Sequence, residues 1–199
     1  MASTAINKKT NSQKLLTLTL CALFAALTAV GAFIKIPIPH LPITLQSFFA
    51  MLAGLLLGGE LGAVSVGTYV ALGLLGVPVF TEGGGISYVL KPSFGYLVAF
   101  VIGAYITGKI ANAVSDPSFA RILIANFAGL AVIYFIGMLY FYLAMNLWVG
   151  GDGLSVSRLF ALCFVPVIPG DILKCILAAV LAVRLIPLTK RYRIEINRK

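Results

Sequence analysis

The 199-residue sequence has few charged residues and few of the side chains that carry enzyme chemistry. Asp, Glu, Lys and Arg together make up 11% of the chain, and there is one histidine. Cys21, Cys163 and Cys175 lie within apolar runs, at spacings that fit no metal site. We therefore expect no catalytic residue, no metal and no cofactor, and we interpret the cysteines as small buried hydrophobic residues.

Hydrophobic residues, in contrast, make up 60% of the chain. A water-soluble protein of this size could not bury so much apolar surface. The apolar runs are long and continuous, which favours membrane-spanning helices. The sequence therefore predicts an all-α integral membrane protein.

Proline- and glycine-rich interruptions divide the apolar runs into six predicted transmembrane helices. We expect these helices at about 13–34, 47–57, 61–75, 93–114, 119–147 and 157–188. The domain organisation is then a polar N-terminal tail at 1–14, a six-helix membrane domain at 15–188 and a basic cytoplasmic C-terminal tail at 189–199. Tyr134, Tyr140, Tyr142 and Trp148 cluster towards the end of the fifth helix, which is typical of the membrane interface.

The net charge of +9 could indicate nucleic acid binding, but the basic residues flank the apolar runs instead of forming a patch with aromatic side chains. One side of the membrane receives Lys8, Lys9, Lys14, Lys109, Arg121, Arg184, Lys190, Arg191, Arg193, Arg198 and Lys199. The other side receives Lys35, Lys91 and Arg158. This bias predicts a multi-pass protein with both termini in the cytoplasm and no nucleic acid partner.

Asp171 and Lys174 lie inside the last apolar run, three residues apart, so a helix projects them from nearly the same face. Charged residues within a membrane segment are costly and usually functional. They could simply neutralise each other, bind a small solute with both donors and acceptors, or relay protons. A proton relay normally needs several ionisable groups across the membrane, and we find no second intramembrane acid.

Three irregular segments are expected on the outer face, above this pair: residues 35–46, residues 76–93 and a loop at 150–153. Residues 35–46 contain three prolines in six positions, and Thr44 and Gln46 supply hydrogen-bonding groups. We predict a lid over a cavity, with a simple connector as the alternative. Residues 76–93 include three successive glycines, Gly83 to Gly85, and could line that cavity with Tyr88 as a flat wall.

Small residues four positions apart occur in the first helix, at Ala22/Ala26 and Ala25/Ala29. Such a strip lets another helix approach closely, either within this bundle or in a partner.

A different pattern, Gly103, Gly108 and Lys109, matches the opening of a P-loop. Ile110 stands where Mg²⁺ coordination needs Ser or Thr, so we expect no nucleotide site.

The chain resembles the BioY family, the biotin-specific substrate-binding (S) components of energy-coupling factor (ECF) transporters, from about residue 15 to 188. The resemblance rests on four motifs: Pro-Ile-Thr-Leu-Gln-Ser-Phe-Phe at 42–49, Gly-Val-Pro-Val-Phe at 76–80, Gly-Gly followed by Lys-Pro-Ser-Phe-Gly-Tyr within 84–96, and Gly-Asp-x-x-Lys at 170–174. Lys91 departs from the pattern, because we expect a small residue before that proline.

The resemblance implies a six-helix S-component bundle in a prokaryotic cell membrane that captures biotin from outside with high affinity. It implies three further partners: a transmembrane coupling protein, onto which Ala22, Ala25, Ala26 and Ala29 would dock, and two cytosolic ATPases. Asp171 and Lys174 would contact biotin, with further contacts from Thr44, Gln46, Gly84, Gly85, Tyr88 and Asn126. The rival hypotheses are a self-sufficient proton-coupled secondary transporter of a small amphipathic solute and an assembly subunit without a ligand.

Overall fold

The computed structural model describes residues 2–37, 42–149 and 153–193. These residues form seven α-helices, a two-stranded antiparallel hairpin and one short 3-10 helix at Ile86–Leu90. In chain order the elements are α1 Ala2–Phe33, β1 Lys35–Ile36, β2 Ile43–Thr44, α2 Gln46–Leu57, α3 Gly59–Leu74, α4 Phe94–Ala111, α5 Phe119–Leu147, α6 Val156–Cys163 and α7 Ile168–Arg193.

The second to fifth helices lie within a few residues of their predicted limits. The first helix is longer than predicted, because it begins at Ala2 and so includes most of the predicted polar tail. No Gly or Pro interrupts residues 2–13, so nothing in that stretch ends a helix. At the other end, α7 continues to Arg193, and residues 194–199 of the predicted basic tail lie outside the described residues.

The predicted sixth helix is broken into α6 and α7, which are bent by 50° relative to each other. Pro166 lies in the break and Pro169 in the first turn of α7. Proline cannot donate the backbone hydrogen bond that would continue a helix through the break, but it fits a first helical turn. The break therefore places Asp171 in the first turn of α7, inside the bundle.

Three helical stretches of the described chain are long and apolar enough to cross a membrane by length and composition, and a fourth crossing is added if α6 and α7 count as one bent span. The three are Lys14–Phe33, Phe94–Ala111 and Phe119–Leu147. Helices α2 and α3 are also apolar but shorter, with 12 and 16 residues. A six-helix arrangement is compatible with these lengths if the two short helices are tilted or lie deep in the bundle.

Helix α2 is the centre of the bundle, because nearly all of its residues are buried and it packs against α1, α3, α4 and α7. Its approach to α4 depends on Gly54, where a Cβ atom would collide with the carbonyl oxygen of Ala104. The turn into α3 depends on Gly58, whose φ of 90° favours glycine. Close helix contacts through small residues are the usual packing mode in membranes.

The hairpin and the segment between α3 and α4 cover the same end of the bundle. Lys35 in β1 pairs with Thr44 in β2, and its ammonium donates to the carbonyl oxygen of Thr81 at 2.9 Å. Trp148, at the end of α5, donates from its indole nitrogen to the carbonyl of Leu90 at 2.7 Å. The hairpin apex at 38–41, which contains His40, and residues 150–152 lie outside the described residues.

The P-loop-like run lies within α4 and forms no loop. Lys109, in the last turn of this helix, pairs with Glu60 at 2.8 Å across the start of α3. The run is therefore part of a packed helix, as the apolar stretch at 93–114 predicts.

Candidate functional site

A cavity of about 590 Å³, its open mouth included, lies between α2, α4, α5 and α7 beneath the hairpin. Nine of the lining residues are apolar or aromatic and seven are polar or charged: Pro42, Ile43, Thr44, Gln46, Ser47, Thr81, Tyr88, Ser93, Tyr96, Leu97, Phe100, Ile133, Tyr134, Val167, Asp171 and Lys174. Five of the eight residues predicted to bind a ligand therefore line one cavity.

Asp171 and Lys174 form an ion pair at the buried end of the cavity, with exposed fractions of only 5% and 6%. The ammonium of Lys174 also donates to the carbonyl oxygen of Thr44 and to the hydroxyl of Ser47, both at 2.9 Å. The contact with Thr44 crosses from α7 to the hairpin. Asp171 and Lys174 thus neutralise each other, and Lys174 also holds the hairpin against the floor of the cavity.

Tyr134 completes the environment of Asp171. Its hydroxyl donates to Oδ2 of Asp171 at 2.5 Å, while Oδ1 accepts from Lys174 and, at 3.5 Å, from Ser47. Tyr134, which the sequence predicts at the membrane interface, has its side chain buried in the bundle, and its ring packs against Phe164 at 5.0 Å. An aromatic residue in an apolar run gives no sequence signal that distinguishes an interfacial ring from a buried one with a polar partner.

Thr44 and Gln46 line the cavity and also form a chain of hydrogen bonds to α3. The hydroxyl of Thr44 donates to the side-chain oxygen of Gln46 at 2.9 Å, and the Gln46 amide donates to the hydroxyl of Tyr69 at 2.5 Å. Tyr69 in turn donates to the carbonyl of Val79 at 3.4 Å. The side chains predicted as ligand contacts are therefore also the groups that connect the hairpin to the segment after α3.

Tyr88 forms part of the cavity wall and is held on both sides. Its hydroxyl is 3.0 Å from the hydroxyl of Thr81, and its ring packs against Phe80 with centroids 4.6 Å apart. The ammonium of Lys91, to which the sequence assigned no role, lies 4.9 Å from the centre of the Tyr88 ring and pairs with Glu82 at 2.5 Å. Lys91 therefore supports the wall at the mouth of the cavity.

Gly84, Gly85 and Asn126 do not line the cavity. The amide of Gly85 donates to the carbonyl of Gly73 at 2.7 Å, and a Cβ atom at Gly84 would collide with the carbonyl of Val77. These glycines seat the segment against α3. Asn126 is fully buried in α5 and donates to the carbonyl of Cys175 in α7 at 2.9 Å, and its side-chain oxygen has no hydrogen-bond partner among the described residues.

Ser47, Tyr96 and Tyr134 line the cavity and were not predicted as site residues. Ser47 lies in the quoted motif at 42–49, next to Gln46, so its position there was a usable signal. Tyr96 is the last residue of the Lys-Pro-Ser-Phe-Gly-Tyr motif at 91–96. Neither hydroxyl can be assigned to a pocket without knowing which face of its helix is turned inward.

The four alanines of α1 face different surroundings. Ala22 and Ala26 are exposed, Ala25 is buried, and Ala29 packs partly against the core. Ala22 and Ala26 are therefore the two alanines most accessible to another protein. Among the described residues, no group of three or more His, Cys, Asp and Glu side chains could hold a metal ion.

Comparisons with known proteins match this chain over most of its length. A sequence model described as the BioY family matches residues 5–191. The "Probable biotin transporter BioY" of Lysinibacillus sphaericus is 47% identical over 173 residues, which cover 87% of this chain and 88% of that protein. The "Biotin transporter BioY" of Thermotoga maritima is 38% identical over 164 residues, covering 82% and 91%.

A crystal structure of the S-component for biotin from an ECF-type ABC transporter has the same fold. The TM-score is 0.76 at 32% sequence identity, and the match covers 88% of this chain and 93% of that one. This similarity confirms the predicted all-α membrane bundle of the S-component type.

Proposed function

Because the chain belongs to the BioY family, we propose that it captures biotin with high affinity as the S component of an ECF-type transporter. The family is one of transporters, so the chain is not an enzyme. The observation that carries the proposal is the buried Asp171–Lys174 pair at the floor of an otherwise mostly apolar cavity. A charged floor beneath apolar walls suits a small molecule that is apolar over most of its surface and polar at one end.

Biotin has such a surface. Its ureido ring presents two N–H donors and a carbonyl acceptor, and a sulfur-containing ring and an aliphatic chain separate these groups from the carboxylate. We assign Asp171 to the ureido N–H groups, since a carboxylate only accepts, and Lys174 to a ligand oxygen, since an ammonium only donates. Thr44, Gln46 and Tyr88 would contact the ligand from the hairpin and the wall.

The three predicted contacts outside the lining would serve binding indirectly. Gly84 and Gly85 hold the segment that carries Tyr88 against α3. Asn126 fixes α5 against the turn of α7 that follows Lys174. Each would preserve the shape of the cavity without touching the ligand.

The protein spans a lipid membrane several times, and we place it in a prokaryotic cell membrane with both termini cytoplasmic. Lys35 and Lys91 lie at the end of the bundle that bears the cavity mouth, whereas Lys109 and Arg121 flank the connection between α4 and α5. The more basic side is expected inside the cell, which opens the cavity to the outside. The basic C-terminal residues would then meet the cytoplasm.

Transport by this chain would require a transmembrane coupling protein and two cytosolic ATPases. The exposed alanines Ala22 and Ala26 offer a smooth face on α1 for helix contact, with Ala29 at its edge and Ala25 facing the bundle. Neither a cofactor nor a nucleic acid is part of the proposal.

A proton-coupled secondary transporter is less well supported. Among the described residues, Asp171 is the one buried carboxylate, so a proton path would lack a second buried acidic residue to carry the proton. Vesicles that contain this chain alone should therefore show no uptake of biotin driven by a pH gradient. Uptake that follows the gradient would favour the alternative.

Calorimetric titration of the purified chain with biotin tests the proposal directly. We expect 1:1 binding with a Kd well below 1 µM. A Kd of 1 µM corresponds to a binding free energy of about 8 kcal/mol, and high-affinity capture requires more than that. Asp171→Asn should weaken binding, because an amide that donates as well as accepts would face the ureido N–H groups. Wild-type binding weaker than about 1 µM would contradict capture of biotin.

A further inference from the structure

The donors of Lys174 are already in use within the protein. An ammonium has three N–H groups, and those of Lys174 are matched by the carbonyl of Thr44, the hydroxyl of Ser47 and the carboxylate of Asp171. Any ligand oxygen that bound Lys174 would have to displace one of these contacts. Asp171 differs, because two carboxylate oxygens can accept about four hydrogen bonds and only three are used.

Tyr96 supplies an unused hydrogen-bond donor, which Lys174 does not have. It lines the cavity from α4 and is 7% exposed, and its hydroxyl has no hydrogen-bond partner among the described residues. Asp171 lines the same cavity from α7. An unpaired donor in a buried site is unfavourable, and such groups call for an explanation.

Packing fixes the Tyr96 ring in this position. A Cβ atom at Gly137 in α5 would collide with the ring, so glycine is what lets α5 close over it. The Tyr96 ring is therefore held at the cavity before any ligand arrives. The residues that line the cavity thus include a spare acceptor on Asp171 and an unpaired donor on Tyr96.

We propose that the Tyr96 hydroxyl donates to the carbonyl oxygen of the ureido ring of biotin while Asp171 accepts from an adjacent ureido N–H. A cyclic urea places an acceptor beside a donor, which complements this arrangement and leaves the Lys174 contacts intact. The inference rests on the proposed function, since it assumes that biotin is the ligand. It adds Tyr96 to the ligand-binding residues, and a ligand oxygen that reaches Lys174 would exchange with one of the three present contacts of its ammonium.

Tyr96→Phe tests the contact, with Tyr105→Phe as the matched control on the same helix, because Tyr105 is exposed and does not line the cavity. Y96F should bind biotin at least about fivefold more weakly, since a buried ligand carbonyl loses its partner. Y105F should bind within about twofold of wild type. The thermal midpoint of ligand-free Y96F should equal or exceed that of wild type, because the substitution removes an unpaired buried hydroxyl.

Two analogues identify the group that Tyr96 touches. Desthiobiotin lacks the sulfur and biotinamide lacks the carboxylate, and both keep the ureido carbonyl, so the loss caused by Y96F should be the same for both as for biotin. A loss that disappears with either analogue would assign Tyr96 to the sulfur or the carboxylate and overturn the proposal. A loss below about twofold for biotin, or a lowered midpoint without ligand, would also overturn it. Failure of the wild-type chain to bind biotin would instead refute the proposed function.

Discussion

The Asp171–Lys174 pair allows a direct test of how much an unpaired charge destabilises the site. Both side chains are almost fully buried, and each is the charge partner of the other. Lys174→Met removes the ammonium and keeps an unbranched side chain, so it leaves a carboxylate without a counter-charge. Asp171→Asn leaves the ammonium in the same position. Breaking a buried pair from one side costs about 3–5 kcal/mol of unfolding free energy, so each single variant should lose about that much.

The double variant D171N/K174M should be more stable than either single variant by at least about 2 kcal/mol, because no uncompensated charge remains. It would still lose the contacts from Lys174 to Thr44 and Ser47, at about 1 kcal/mol each. Denaturant unfolding in detergent can be followed through Trp148, the single tryptophan of the chain. All three variants should also lose tight binding of biotin.

The Glu82–Lys91 pair is the matched control. Its side chains are 55% and 39% exposed, so E82Q and K91M should each change the unfolding free energy by less than about 1 kcal/mol. If K174M and D171N cost no more than these control variants, then the buried pair is not held in a low-dielectric site. The same conclusion would follow if the double variant were as unstable as the sum of the two single variants.

Three further predictions concern packing, the covering hairpin and docking. Gly54→Ala should lower the unfolding free energy by about 1–3 kcal/mol, because its Cβ atom would meet the Ala104 carbonyl. Gly67→Ala should not destabilise the protein, because its Cβ atom would lie 4.0 Å from its nearest neighbour, the side chain of Val101. Lys35→Met should raise the dissociation rate of biotin about two- to tenfold in stopped-flow experiments, because the hairpin loses its bond to Thr81, and Lys14→Met should leave that rate unchanged. Ala26→Phe should leave biotin binding by the isolated chain intact and reduce uptake by the assembled transporter, and Ile124→Phe, an exposed position on α5, should affect neither. An unchanged rate in K35M, a stable G54A or full uptake by A26F would contradict the respective argument.

The course of the chain was largely predictable because its apolar runs end at residues with strong backbone preferences. Gly58 ends α2, and Pro92, Ser93 and Pro117 bracket α4 and the start of α5. The start of α1 was not predictable, since residues 2–13 lack both an apolar period and a helix-breaking residue. Pro166 and Pro169 indicated an interruption of the last helix, but the angle between α6 and α7 depends on packing.

The site was predictable where a residue is out of place in its surroundings. Asp171 and Lys174 stand out in an apolar run, and Thr44 and Gln46 stand out in an apolar loop. Tyr96 and Tyr134 could not be found this way, because a tyrosine is unremarkable in a membrane helix until its neighbours are known. Gly84 and Gly85 showed the opposite problem, since a glycine run is as suited to packing against a helix as to lining a cavity.

The break before α7 has an electrostatic consequence for the order of the two charges. The amide groups of a first helical turn carry a partial positive charge, which favours an anion by about 0.3–1 kcal/mol, and by up to about 2 kcal/mol when partly buried. Asp171 lies in that first turn and Lys174 one turn further along, so the macrodipole of α7 supports the carboxylate where it stands. Exchanging the residues as D171K/K174D would keep both charges but place the ammonium against the positive end of the helix. An unbroken helix would have no such terminus at this depth.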